Sequence, residues 1–377
     1  MAVYLDNSAT TRVCPAAAEA ALKAMKECYG NPSSLHRMGL DAENLVRDSR
    51  KAIASAVGCP ADRLFFTSCA TESNNIALFG GLRANQRLGR KVITTAVEHA
   101  SVLEPLHVLE QQGYEVHKLR PQNGRYTANQ FLELVDDQTA MVSVMLVNNE
   151  VGIRLPVEEI FSGVRRKNPK TLLHVDAVQG AVKVPFRFSQ ADPDFLSLSG
   201  HKLYAPKGVG ALYVKKGTKV APLTFGGGQE QGISPGTESV PLIAAFAAAV
   251  DDYLPKAKKQ YERYTALMER FLSQLAGRED IAVLSPADAV PYIASIAVKG
   301  IRSEIMLHFL EREGIFVSSG SACAKGEESH VLSAMGIPKK LADSALRISF
   351  SPETTERDLD ELIEKLKEGS QKLLRVR

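Results

Sequence analysis

The sequence predicts an α/β protein: a large domain on a mainly parallel sheet flanked by helices, plus a smaller α+β domain. Two observations carry that expectation. Short apolar runs alternate with longer amphipathic stretches for most of the chain, and the texture changes after the Gly/Pro-rich stretch from Phe225 to Gly236. In order, RLFFTS (63–68), KVITTAV (91–97), MVSVMLV (141–147), TLLHVDAV (171–178), DFLSLSG (194–200) and VGALYVKK (209–216) read as buried strands. Between them, Ala42 to Val57 and Thr71 to Leu88 read as helices. A long, charged helical run spans roughly Ile243 to Leu275, and shorter elements follow to the end. The domain junction is expected near residue 255, inside that run. No internal repeat or low-complexity tract interrupts the pattern.

The chain has 377 residues, enough for about two domains, with 45% hydrophobic and 24% charged residues, which is ordinary for a globular protein with a real core. Its 46 basic and 43 acidic residues nearly cancel, which gives no support to a role on nucleic acid or a membrane surface. The five cysteines (Cys14, Cys28, Cys59, Cys69 and Cys323) form no disulfide ladder and no zinc spacing, so a reducing cytoplasm is expected. The opening MAVYLDNSATT does not read as a signal peptide, and the longest apolar run, Leu242 to Val250, is too short to span a bilayer.

Three stretches carry chemistry. In SLSGHKLYAPKGVGALYV, Ser197 to Val214, Lys202 follows the carboxyl end of a buried strand, where open α/β sheets place their ligands. Alone it reads as a solvated loop lysine; at such a strand end, a lysine with a lowered pKa forms a Schiff base with an aldehyde cofactor. In LLHVDAVQG, Leu172 to Gly180, Asp176 sits in an apolar strand, where an unpartnered carboxylate is costly. It reads either as a turn cap or Arg partner, or as the partner of a protonated pyridine nitrogen, with Gln179 donating to the ring's phenolic oxygen. In FFTSCATESNN, Phe65 to Asn75, a strand opens into a helix whose first amides, with the Thr71 hydroxyl, make either a plain N-cap or a phosphate seat.

With these stretches the chain resembles the class V aminotransferase group of fold-type I pyridoxal-phosphate enzymes, and within it the cysteine desulfurases of the NifS and IscS kind. The resemblance runs nearly end to end through YLDNSATT (4–11), GNPSS (30–34), TSCATESNN (67–75), EHAS (98–101), VNNEVG (147–152), HVDAVQ (174–179), SGHKLYAPKGVG (199–210), PGTES (235–239) and SSGSAC (318–323). It implies that residues 15–255 form the large cofactor-binding domain, while 1–14 and 256–377 form the small domain with the catalytic cysteine. It implies Lys202 as the Schiff-base lysine, Asp176 as the pyridinium partner, Gln179 as the phenolate donor and His99 stacked on the ring. Ala70, Thr71, Ser199 and His201 would hold the phosphate. Thr237 would reach the phosphate of a second subunit, implying a homodimer with shared sites. Asn149 and Arg347 would bind the substrate carboxylate, a role that suits a planar guanidinium.

Cys323 selects the reaction. SSGSACAKGEES has no apolar face to bury it, so it reads as an exposed nucleophilic thiol. The implied reaction takes sulfur from L-cysteine onto Cys323 as a persulfide, leaves alanine, and passes the sulfur to an acceptor protein for iron–sulfur cluster assembly or tRNA or cofactor thiolation. Lys202 would remove the Cα proton, and His99 or the cofactor region would assist deprotonation of Cys323. The stretch from Cys323 to Arg347 resembles the long-loop branch of the family. Four departures stand out: Cys69 where many members have glycine, Gln231 and Ser234 where arginines are common, and an ending at KLLRVR without a longer tail. Rival readings are a selenocysteine lyase, a class V aminotransferase and a non-catalytic cofactor-binding scaffold.

Overall fold

The computed structural model describes residues 2–319 and 329–373. Thirteen strands are present among them. In chain order they are β1 Val3–Tyr4, β2 Leu64–Thr67, β3 Lys91–Thr95, β4 Glu115–Leu119, β5 Thr139–Met145, β6 Leu172–Asp176 and β7 Phe195–Ser199. Then come β8 Gly210–Val214, β9 Ile281–Val283, β10 Ile293–Val298, β11 Ile315–Phe316, β12 Ser318–Ser319 and β13 Ala345–Ser349.

Seven of these form one sheet in the order β2-β8-β7-β6-β5-β3-β4. Only β8 runs against the others, pairing antiparallel with β7 and β2 while the remaining ladders are parallel. Every residue of β5 and β6 is buried, as expected for strands covered on both faces. Even His174 is fully enclosed, with Nδ1 on Ser143 Oγ at 2.8 Å and Nε2 on Ser197 Oγ at 3.1 Å, a polar rung across three strands. Burial pushes its pKa down to about 3, so this ring stays neutral and structural.

The four-stranded sheet, β12-β13-β10-β9, is antiparallel and follows residue 280. Helices Ser303–Arg312 and Glu356–Lys372 accompany it, the latter opened by a capping box between Thr355 and Asp358. The N-terminal strand belongs to this region too, since β1 pairs with β11 and Asp6 bridges to Ser349. One continuous apolar core runs from Val3 through the large sheet to Leu366. No helix among the described residues is long and apolar enough to cross a membrane, and no cluster of potential metal ligands occurs there.

Three sequence expectations need amendment. The long run to Leu275 is two helices, Val240–Tyr253 and Ala257–Leu275, joined by a 3₁₀ turn at Leu254–Lys256. Pro255 lacks an N–H for the helical ladder, which breaks the run there. Thr71 to Leu88 is a chain of short pieces: Ala70–Asn75, a π turn at Ile76–Gly80, Gly81–Ala84 and a final 3₁₀ turn. The edge strand β4 escapes sequence reading because EVHKL is half exposed and polar, without an apolar run.

Candidate functional site

The carboxyl ends of the parallel strands converge on a cavity of about 380 Å³. Cys69, Ala70 and Thr71 come from the end of β2, His99 from beyond β3, and Met145, Val147 and Asn149 from β5 and its continuation. Asp176 and Gln179 arrive from β6, and Ser199, His201 and Lys202 from β7. Arg347 reaches in from β13 of the other sheet, and Ser8 and Ala9 close the rim. The turn at β2 depends on Gly210, whose Cβ would stand 2.8 Å from the Cys69 carbonyl carbon and from Leu198 O. Cys69 itself has extended backbone, φ −171°, which any residue adopts, so a cysteine fits there without strain.

Asp176 is buried and fully matched on one side: Asn74 Nδ2 donates to Oδ2 at 2.8 Å and the Val178 amide to Oδ1 at 3.0 Å. Gln179 donates to the Ser8 carbonyl at 2.9 Å, and Tyr292 donates to the Gln179 carbonyl at 2.9 Å. Lys202 Nζ lies 2.5 Å from Ser8 O and 2.6 Å from Ala9 O. An N-terminal segment far away in sequence therefore orients this amine. His201 meets Thr10 Oγ1 at 3.2 Å. Burial pushes its pKa down to about 4, with Lys202, Lys207 and Lys183 adding to the shift. Arg347 is almost fully buried; Nη2 donates to Asp6 at 2.8 Å and Nη1 to the Asn149 carbonyl at 3.3 Å, while Nε has no partner among the described residues.

The residues fit pyridoxal phosphate. Ser199 Oγ is buried on the cavity wall with no hydrogen-bond partner among the described residues, and a buried hydroxyl of that kind calls for an acceptor such as a phosphate oxygen. The amides opening the helix at Ala70 and the His201 ring face the same cavity, and Lys202 and Asp176 stand on neighbouring strand ends.

Ten residues singled out from sequence thus share this cavity: Ala70, Thr71, His99, Asn149, Asp176, Gln179, Ser199, His201, Lys202 and Arg347. Thr237 stands outside it, exposed, on the segment following Gly236. Cys323 lies outside the described residues. Sequence reading missed Asn74, Ser101, Ser8 and Ala9 as contributors. All four fall inside quoted motifs, but nothing in their composition says which atoms meet. Of the departures, Ser234 donates to Glu72 at 2.7 Å, tying the Gly-rich segment to the helix opening, and Gln231 is exposed.

The family model "Aminotransferase class-V" matches residues 3–362. A "NifS/IcsS protein homolog" from Lactobacillus delbrueckii subsp. bulgaricus is 40% identical over 367 residues, covering 96% of this chain and 95% of that protein. "Cysteine desulfurase NifS" from Azotobacter vinelandii is 39% identical over 367 residues, covering 96% of this chain and 90% of that one. A solved "NIFS-LIKE PROTEIN" superposes with a TM-score of 0.92 at 36% identity, covering 98% of this chain and 99% of that chain.

Proposed function

The chain belongs to the aminotransferase class-V family, and on that premise we propose that it works as its relatives do, as a pyridoxal-phosphate-dependent cysteine desulfurase that converts L-cysteine to L-alanine. The observation that carries the reading is the meeting of the Lys202 amine and the buried Asp176 carboxylate in one cavity at the strand ends. Lys202 holds the cofactor and takes the substrate's Cα proton. Asp176, steadied by Asn74 and Val178, holds the proton of the ring nitrogen. Ser199, His201, Ala70 and Thr71 hold the phosphate, and Gln179 donates to the ring oxygen. Bound there, the cofactor supplies an electron sink for the carbon that loses its proton. Arg347, braced by Asp6, and Asn149 bind the substrate carboxylate. The Cys323 sulfur, deprotonated, bonds to the substrate sulfur as the substrate C–S bond breaks, which leaves a persulfide on Cys323.

The working unit is a homodimer. Leu22, Met25, Tyr29, Leu35 and Phe225 are large apolar side chains left exposed, Leu35 completely. A cavity of about 620 Å³ joins the Pro32–Leu35 turn to Gly228–Gln231 and Glu238, next to Thr237. A second subunit on this face would cover the apolar groups and bring Thr237 to its partner's phosphate. The cofactor domain spans 15–255, and the small domain 1–14 and 256–377. The four described cysteines are free, which fits a reducing cytoplasm. The persulfide passes to an acceptor protein in cluster assembly or thiolation.

The test is direct. Protein purified with its yellow cofactor should form stoichiometric alanine and sulfide from L-cysteine with a reductant, and Cys323→Ala should form neither. Undiminished sulfide release by Cys323→Ala would rule the persulfide route out, and a monomer in sedimentation would rule out the shared site.

A further inference from the structure

His99 is the N-cap of helix Ala100–Gln111, and its ring turns back onto the helix it opens. Nδ1 lies 3.1 Å from the Ser101 backbone nitrogen and 2.8 Å from Ser101 Oγ. A backbone N–H only donates, so Nδ1 must present a lone pair, and the proton of the neutral ring sits on Nε2. Asn74 sets the direction of the second bond. Its Nδ2 donates to Asp176 Oδ2 at 2.8 Å and to Ser101 Oγ at 2.9 Å. The Asp176 carboxylate accepts only, which turns the amide NH₂ toward it. Having accepted from Asn74, the Ser101 hydroxyl gives its own hydrogen to Nδ1. Asn74 is fully buried and Ser101 nearly so, so water does not compete for these bonds. Nε2 has no hydrogen-bond partner among the described residues, and the ring lines the cavity.

We propose that Asn74 and Ser101 are positioning residues that lock His99 in its Nε2–H tautomer, so that His99 serves the reaction as a neutral hydrogen-bond donor and not as a base. The inference rests on the desulfurase reading of this cavity. It replaces the expectation that His99 takes a proton from Cys323, because neither ring nitrogen has a lone pair free to do so. Of the two sources expected for deprotonation of Cys323, His99 or the cofactor region, the second then remains, while Lys202 keeps the Cα proton. The surroundings agree. Burial lowers the pKa of the ring most, and Lys202, His330 and Arg347 lower it further; only Asp176 opposes them. Protonating Nδ1 would also strand the Ser101 N–H without its acceptor.

The experiment uses the cofactor-loaded enzyme labelled with ¹⁵N-histidine, with the His99 signal assigned by its loss in His99→Gln. Two-bond ¹H–¹⁵N correlation should show His99 with one protonated nitrogen, Nε2, and one bare nitrogen, Nδ1, from about pH 6 to 8. A proton on Nδ1, or an imidazolium in that range, would overturn the proposal. Asn74→Ala frees the Ser101 hydroxyl to accept, so His99 should titrate at higher pH; a merely structural Asn74 would lower Tm and leave that titration unmoved. With L-cysteine, His99→Gln keeps an N–H donor without a titrating group and should retain at least about tenfold more turnover than His99→Ala. Equal losses in the two would also overturn it. Absence of alanine from the native enzyme would instead defeat the desulfurase reading, while the nitrogen spectrum would still decide the tautomer.

Discussion

The cavity floor and the box around Lys183 are both buried, yet they treat ionisable groups in opposite ways. On the floor, Asp176 is met by the Asn74 amide and the Val178 N–H, which continue into Ser101 and His99. Around Lys183 there are rings instead. Its Nζ lies 5.8 Å from the Tyr204 ring and 5.6 Å from that of Tyr292, with no hydrogen-bond or ion-pair partner among the described residues. The hydroxyls are used elsewhere: Tyr204 meets Tyr264 at 3.3 Å, and Tyr292 donates to Gln179. Burial, with Lys202 adding, pushes the Lys183 amine down to about 7. Glu98, one residue before His99, is the acidic counterpart. Oε1 accepts from Thr95 and the Met145 amide, but Oε2 is sealed without a partner, and burial pushes the carboxyl up to about 8. Donors and acceptors, rather than depth alone, separate a site that supports charge from one that discourages it.

Breaking the floor should have the largest effect. Asp176→Ala removes the proposed ring partner and leaves Asn74 unmatched. Turnover with L-cysteine should fall about a hundredfold to a thousandfold, an activation cost of roughly 3–4 kcal/mol. Activity within a factor of a few of native would mean Asp176 only caps its turn.

The Lys183 box should respond in stability. Lys183 has a depressed folded pKa, so between about pH 7 and 10.5 the unfolded chain binds the proton that the fold refuses, and stability rises with pH. Lys183→Met should flatten that rise and add about 1–4 kcal/mol near neutral pH, measured as Tm against pH. A variant whose curve parallels the native one would place the amine in contact with water.

Glu98 should show the opposite slope. Its folded pKa is raised, so between about pH 4.5 and 8 the fold holds a proton that the unfolded chain has released. Stability then falls as pH rises. Glu98→Gln keeps the acceptor for Thr95 and Met145, and should remove the fall, leaving a difference of about 1–4 kcal/mol at pH 8. The exposed pair of Arg12 and Glu353 gives the lower end of the scale: Arg12→Ala should leave Tm unchanged within error.

Much of the architecture was legible because buried parallel strands write themselves as apolar runs. RLFFTS, MVSVMLV and TLLHVDAV all coincide with strands of the large sheet. The edge strand β4 was not legible, since an edge exposes half its side chains, and the break at Pro255 was hidden inside a continuous amphipathic pattern. Lys202 and Asp176 announced themselves as polar residues at or just beyond the ends of apolar strands, whereas Ser199 came only through the family resemblance. Asn74 and Ser101 did not, because a buried amide and hydroxyl look like ordinary helix-opening residues until their partners are known.

By itself, then, the sequence marked most strands of the large sheet, which depend on residue type within a few neighbouring positions, and through the family resemblance it gave the kind of cofactor and named candidate reacting side chains. Only the tertiary structure decided that the Ser8 and Ala9 carbonyls hold Lys202, that Asp6 braces Arg347, and that the Asn74 amide meets Asp176. Those outcomes rest on hydrogen bonds between segments far apart in the chain, whose directions exist only once the two sheets have brought the donors and acceptors face to face.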